Sequence, residues 1–234
     1  MQYFADSFLE AIKMLISLDP ELYGIIFLSL KISAVAVLIS SLIGMPLAGS
    51  IALHEFRGKT LVINIVNTLM GLPPVVVGLV VYILLSNQFG LFGPLRLLFT
   101  PFAMIIAQVI LATPIVTGLS MVAISGIDPL VGQTALSLGA TKKQMTSTIM
   151  REARYAIGAA VIAGFGRLMA EVGAVMMVGG NVRYRTRVMT TAIAMNKGMG
   201  EFVIALSLGV ILLLLSFLST ILLDKMRRLG VKAE

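Results

Sequence analysis

From Tyr23 to Leu53 the chain runs for about thirty residues with Lys31 as its only charge. Nothing else restricts the possible folds so strongly. A bilayer core is crossed by about 20 apolar residues in a helix, and a segment of this length in water would expose far more apolar surface than a soluble domain tolerates. Comparable stretches recur at about Thr60–Ser86, Thr100–Ser125, Ala156–Val178 and Phe202–Leu223. Hydrophobic residues make up 58% of the chain and charged residues 12%, with a mean hydropathy of +1.01. These values describe an integral membrane protein. The sequence therefore predicts an all-α membrane fold of about five transmembrane helices. The absence of cysteine and the single His54 exclude a disulfide framework, a thiolate metal site and a histidine cluster, so neither a metal nor a catalytic centre is expected.

Ahead of the spans, Gln2, Asp6, Glu10, Lys13 and Ser17 recur every three or four residues among Phe4, Phe8, Leu9, Ile12, Leu15 and Ile16. That spacing predicts an amphipathic helix over residues 1–20, lying on the membrane or along the bundle edge and ended by Asp19-Pro20. Its charges also interrupt the apolar core a cleavable signal peptide requires. The membrane-spanning region is expected at 21–228, with a short tail at 229–234. The first span is long enough to tilt, and Gly44-Met45-Pro46 predicts a kink in it. Lys31 is placed to snorkel to the interface as an anchor, with a substrate ligand as the alternative. Gly58-Lys59-Thr60 mimics the end of a phosphate-binding loop. Leu53 stands where that loop needs its first glycine and a span precedes it, so nucleotide binding by this chain is excluded.

Three places inside the spans carry chemistry. Gly71-Leu72-Pro73-Pro74 breaks the second span, and Gln108 with Thr113-Pro114 marks the third; freed carbonyls at such sites face either a pathway or a neighbouring helix. In the glycine-rich fourth span Arg167 and Glu171 are four apart, hence on one helical face. Each alone would cost about 2.5 to 3.5 kcal/mol at a span centre, so they are expected to pair, as a structural contact or as a gate. The fifth span is nearly uniformly apolar and reads as lipid-facing.

The longest polar interruption is residues 127–153. Asp128-Pro129 is an N-cap followed by proline at the first helical position, and Thr141 with Gln144 forms a capping box. Two short helices are thus expected to meet at a bend, with Gly139 in the left-handed conformation there. Leu130, Val131, Ala135, Leu136 and Leu138 give the first of them an adhesive side suited to a soluble partner. If this loop is cytoplasmic, so are Arg57, Lys59, Lys142, Lys143, Arg151, Arg154 and the basic C-terminus, while the N-terminus lies outside. The net charge of +7 then reports topology, not nucleic-acid binding. Arg183, Arg185 and Arg187 fall outside, against the positive-inside rule. They are expected to ease the approach of an anion or to dock an acidic partner, or else simply to meet lipid headgroups.

The interruption resembles the coupling motif of ABC importer permeases: an acid, two alanines, three variable residues and glycine, with isoleucine ten residues later. Ala135, Gly139 and Ile149 match. Gln133 replaces the acid, Thr134 the first alanine, and Arg151-Glu152 the closing leucine-proline. Gly71-Leu72-Pro73-Pro74-Val75-Val76-Val77-Gly78 and the run from Gly164 to Asn181 resemble segments of molybdate, tungstate and sulfate permeases. Arg151-Glu152-Ala153-Arg154 and Met176-Met177-Val178-Gly179-Gly180-Asn181 are most similar to the tungstate group. The resemblance covers about residues 22–223. It implies a type I ABC importer fold, with Gln133, Ala135, Leu138, Gly139, Ala140 and Thr141 at the ATPase contact. It also implies a homodimer in a prokaryotic plasma membrane, two copies of a cytoplasmic ATPase that bind ATP and Mg, and an extracytoplasmic oxyanion-binding protein. No cofactor is expected in this chain, nor the regulatory domain that some molybdate permeases append. The expected activity is tungstate import by alternating access, with molybdate and then sulfate as alternative substrates. A stand-alone secondary transporter or channel and a structural scaffold are the readings from other classes.

Overall fold

The computed structural model describes residues 12–13, 16–17, 19–88 and 90–231. The amphipathic helix expected before Pro20 therefore lies almost wholly outside the described residues, as do residues 232–234. Among the described residues the regular secondary structure is helical, without strands. The helices are α1 (Pro20–Leu53), α2 (Lys59–Met70), α3 (Pro74–Leu85), α4 (Pro101–Ser125), α5 (Pro129–Ser137), α6 (Lys142–Glu152), α7 (Arg154–Met169), α8 (Gly173–Gly179), α9 (Met189–Met199) and α10 (Phe202–Val231).

Three helices, α1, α4 and α10, are long and apolar enough to cross a membrane; five spans result if α2 with α3 and α7 with α8 each count as one. The break expected at Gly71-Leu72-Pro73-Pro74 is present, and α2 and α3 meet there at 94°. Each has 12 residues, about 18 Å, too short to cross alone. The fourth span is likewise broken, with α7 and α8 at 59°. At Gly44-Met45-Pro46 α1 continues without a break and is helical through Pro46. Gly44 instead allows close approach, since a Cβ there would lie 2.9 Å from Thr117 Oγ1 on α4.

α1 packs along α4, and this pair forms the middle of the bundle with α3, α7 and α8 around it. Ile32, Ala36, Val81, Met104, Val116 and Val175 make up its core. At one end, Leu22 and Ile25 of α1 meet Met169, Met189, Ala192 and Leu208. At the other, Ala48 and Ile51 meet Met121, Ile124, Ala153 and Ile157. The helices thus define a Glu21 end, holding the 180–188 loop, and a Gly139 end, holding α5 and α6. Most of the outward surface of α10 is exposed, in keeping with a lipid-facing span. The segment after α8 was expected to be a loop. It contains α9, whose Met189, Thr191 and Ala192 are buried against the bundle.

Candidate functional site

The geometry at the Gly139 end follows from local sequence. Asp128 Oδ1 accepts from Leu130 N at 2.8 Å, with Pro129 opening α5. α5 closes through Gly139 N to Leu136 O (2.9 Å) and Ala140 N to Ala135 O (3.0 Å), with Gly139 at φ +86°. A Cβ at that position would meet nothing within 4 Å, so the backbone conformation alone calls for glycine. Thr141 N donates to Gln144 Oε1 at 2.7 Å and Gln144 N to Thr141 Oγ1 at 3.3 Å, the expected capping box. Beside this bend lies an open cleft of about 800 Å³, lined by Leu130, Val131, Ala135, Leu138, Gln144 and Thr148 among others. Leu138 is 84% exposed and Leu130 62%. Covering either leucine would contribute about 1.5–3 kcal/mol, so the surface favours a docked partner. Gln133 is exposed but does not line this cleft.

The fold does not gather all the candidates inside the bundle at one place. Gln108 and Glu171 do come together, lining a buried polar cavity of about 10 Å³ with Ser29, Ser33 and Thr190. Gln108 donates to Leu168 O at 3.4 Å, while its Oε1 is buried without a partner among the described residues. Arg167 and Glu171 are in contact, Nη1 to Oε2 at 3.6 Å, but not on one helical face, because α7 ends at Met169. Their environments also differ: the Glu171 side chain is 4% exposed and that of Arg167 51%. Glu171 Oε1 accepts from Ala174 N at the start of α8, and its carbonyl accepts from Thr190 Oγ1 at 2.7 Å. Contacts from α8 and α9 thus hold the break that separates the pair in sequence. Pro73 and Pro74 form the α2–α3 corner. Thr113 and Pro114 make no comparable irregularity, because α4 is continuous and Thr113 Oγ1 donates to Val109 O within it.

At the Glu21 end, the three arginines are held by a tight loop. The amides of Arg185, Thr186 and Arg187 all donate to Val182 O, and buried Thr186 donates its hydroxyl to Gly179 O at 2.6 Å. Asn181 and Tyr184 adopt positive φ there. Arg183 grips the Glu21 carboxylate with two nitrogens, Nε at 2.8 Å from Oε1 and Nη2 on Oε2. Arg187 Nη1 lies 3.5 Å from Oε1, and Tyr184 OH donates to Oε2 at 3.3 Å. The hydrogen bond to Glu21 raises the affinity of the Arg183 guanidinium for its proton. Arg185 turns instead into a second cleft that Lys31 also lines. The three cations are therefore not equivalent. Glu21, Ser29, Ser33 and Thr190 were missed as participants; Glu21 stands 162 residues from Arg183, and no local pattern links them.

The match to known proteins extends over nearly all of this architecture. Residues 25–228 match the family described as "Binding-protein-dependent transport system inner membrane component". This chain belongs to that family. The permease is 42% identical over 217 residues to the tungstate uptake system permease protein of Peptoclostridium acidaminophilum, covering 93% of this chain and 95% of that one. It is 34% identical to the tungstate uptake system permease protein of Campylobacter jejuni, over 97% and 95% of the two chains. The molybdenum transport system permease protein of Escherichia coli is 28% identical over 74% of this chain and 79% of its own. Among solved structures, a bacterial ABC transporter that imports alginate has a TM-score of 0.71 at 18% identity, covering 94% of this chain and 82% of that one. An amino acid ABC transporter scores 0.70 at 19% identity, over 92% and 96%. These two show the fold, that of a type I ABC importer permease.

Proposed function

We propose that the permease is the membrane subunit of an ATP-driven tungstate importer, working as a homodimer with two copies of a cytoplasmic ATPase and an extracytoplasmic binding protein. The observation that carries this reading is the capped helix-bend-helix of α5 and α6. It presents an apolar cleft at one end of a chain similar over nearly its full length to two tungstate uptake permeases. In this reading the Gly139 end faces the cytoplasm and the Glu21 end faces the binding protein. Gln133, Ala135, Leu138, Gly139, Ala140 and Thr141 form the ATPase contact. ATP and Mg belong to the ATPase, and this chain does no covalent chemistry. Closure of the ATPases draws the two α5–α6 units together, and the break between α7 and α8 and the α2–α3 corner give the bundle places to bend.

The test is reconstitution of the permease with its ATPase and binding protein in vesicles. Tungstate should accumulate with ATP hydrolysis, and uptake should cease when either partner is omitted. Uptake by the permease alone would favour a secondary transporter. Preferential accumulation of molybdate or sulfate would keep the importer and change its substrate.

A further inference from the structure

Glu21 sits where an anion would sit. Its two oxygens accept hydrogen bonds from Arg183 Nε and Nη2 and from Tyr184 OH, and Arg187 Nη1 adds an ion pair at 3.5 Å, a constellation that suits a planar or tetrahedral oxyanion. In the immediate contact two guanidiniums meet one carboxylate, and Glu201 acts on Arg183 from farther away. Arg187 Nε is buried with no partner among the described residues, and the Arg187 side chain is 14% exposed. The Glu21 carboxylate, at 29% exposure, borders a cavity of about 300 Å³ that also touches Arg183, Arg187 and Asn196. Two other carboxylates line it. Asp19 is engaged in capping α1 through Glu21 N and Leu22 N, both at 2.9 Å, and Glu201 is on the exposed rim. On the other side of Glu21, Lys31 and Arg185 line a cleft and add two cations that have no carboxylate within 4 Å among the described residues.

We infer that Arg183, Arg187 and Tyr184 form a binding site for a dianionic oxyanion at the Glu21 end, and that Glu21 is its resident occupant, displaced when the dianion arrives. The inference rests on the oxyanion-transport reading above and adds to it a receiving site in the permease itself. A dianion neutralises both guanidiniums where a single carboxylate cannot, so the exchange favours divalent over monovalent anions. Because Glu21 is in the first turn of α1, displacing it also frees that helix end from the 181–188 loop. Occupancy of the site and closure of this contact thus exclude one another, which makes the site a transient one: the resident carboxylate competes with every ligand that enters.

Glu21→Gln tests this, since it keeps the shape and removes the competing charge. The permease–ATPase complex in lipid nanodiscs, without binding protein, is titrated with radiolabelled tungstate, with sulfate and chloride as competitors at equal ionic strength. Saturable tungstate binding should be at least about 10-fold tighter in Glu21→Gln than in the native complex. It should be displaced by sulfate but not chloride, and lost when Arg183→Gln and Arg187→Gln are added. A second measurement needs no variant: in the native complex tungstate, unlike chloride, should raise carbodiimide labelling of Glu21, read by mass spectrometry. Equal binding in the two complexes, or labelling of Glu21 that ignores tungstate, would overturn the site. If binding-protein-dependent uptake persists in that case, the transport reading stands without it. Tighter binding by Glu21→Gln alongside a native transporter that moves no oxyanion would keep the site and remove the transport reading.

Discussion

Single residues in this permease carry unequal shares of contacts that look symmetrical in the sequence. Arg167 and Glu171 are four apart, but the burden of their contact falls on the buried carboxylate. Glu171 supplies the acceptor for Ala174 N and fixes the turn into α8, whereas Arg167 reaches it from a half-exposed position at 3.6 Å. Glu171→Ala should therefore lower stability by roughly 1–3 kcal/mol, the cost of leaving buried polar groups unpaired. Arg167→Ala should cost under about 1 kcal/mol. Glu171→Gln, whose amide oxygen can still accept from Ala174 N, should fall between them. Thermal unfolding of the detergent-solubilised variants checks the order, and equal losses at the two positions would restore the ion pair as the dominant contact. The spacing alone could not show this asymmetry, because Thr190 on α9 helps hold the break, and its position follows from the tertiary fold.

At the level of helices, legibility depended on how local the cause was. Asp128, Gly139, Thr141 and Gln144 each act within a few residues, and the α5–α6 bend appears with the expected caps. Pro73 and Pro74 marked a break but not its 94° angle, which requires α3 to lie on α8. A Cβ on Gly78 would come within 2.7 Å of Ala174 Cα, so these helices touch backbone to backbone. At Pro46 and Pro114, by contrast, long helices continue through the proline without a break. The bend offers the sharper test. Gly139→Val forces a β-branched residue to φ +86°, at a cost of roughly 1–2 kcal/mol, although the space around it is open. Uptake by the reconstituted transporter should fall severalfold while helical content stays unchanged. Gly139→Asn, which tolerates the left-handed conformation, should retain most of the uptake. Equal losses for both would mean that side-chain bulk at the ATPase contact, not the backbone, is what matters.

For the molecule as a whole, the hydrophobic runs made an all-α membrane fold legible, and the packing decided which runs became single helices. The two ends can be assigned to sides of the membrane with the chain's own chemistry, because it contains no cysteine. In spheroplasts, Leu91→Cys in the loop between α3 and α4 should react with an impermeant maleimide. Lys142→Cys on α6 should react only after permeabilisation, and the reverse pattern would invert the proposed topology. The contact between Glu21 and Arg183 has a further consequence, in time. It joins residues 162 apart in sequence. At synthesis rates of about 5–20 residues per second, the carboxylate is made roughly 8–32 s before its arginine. α1 is therefore made with that end unfastened, and the contact can close only once residue 183 has been synthesised.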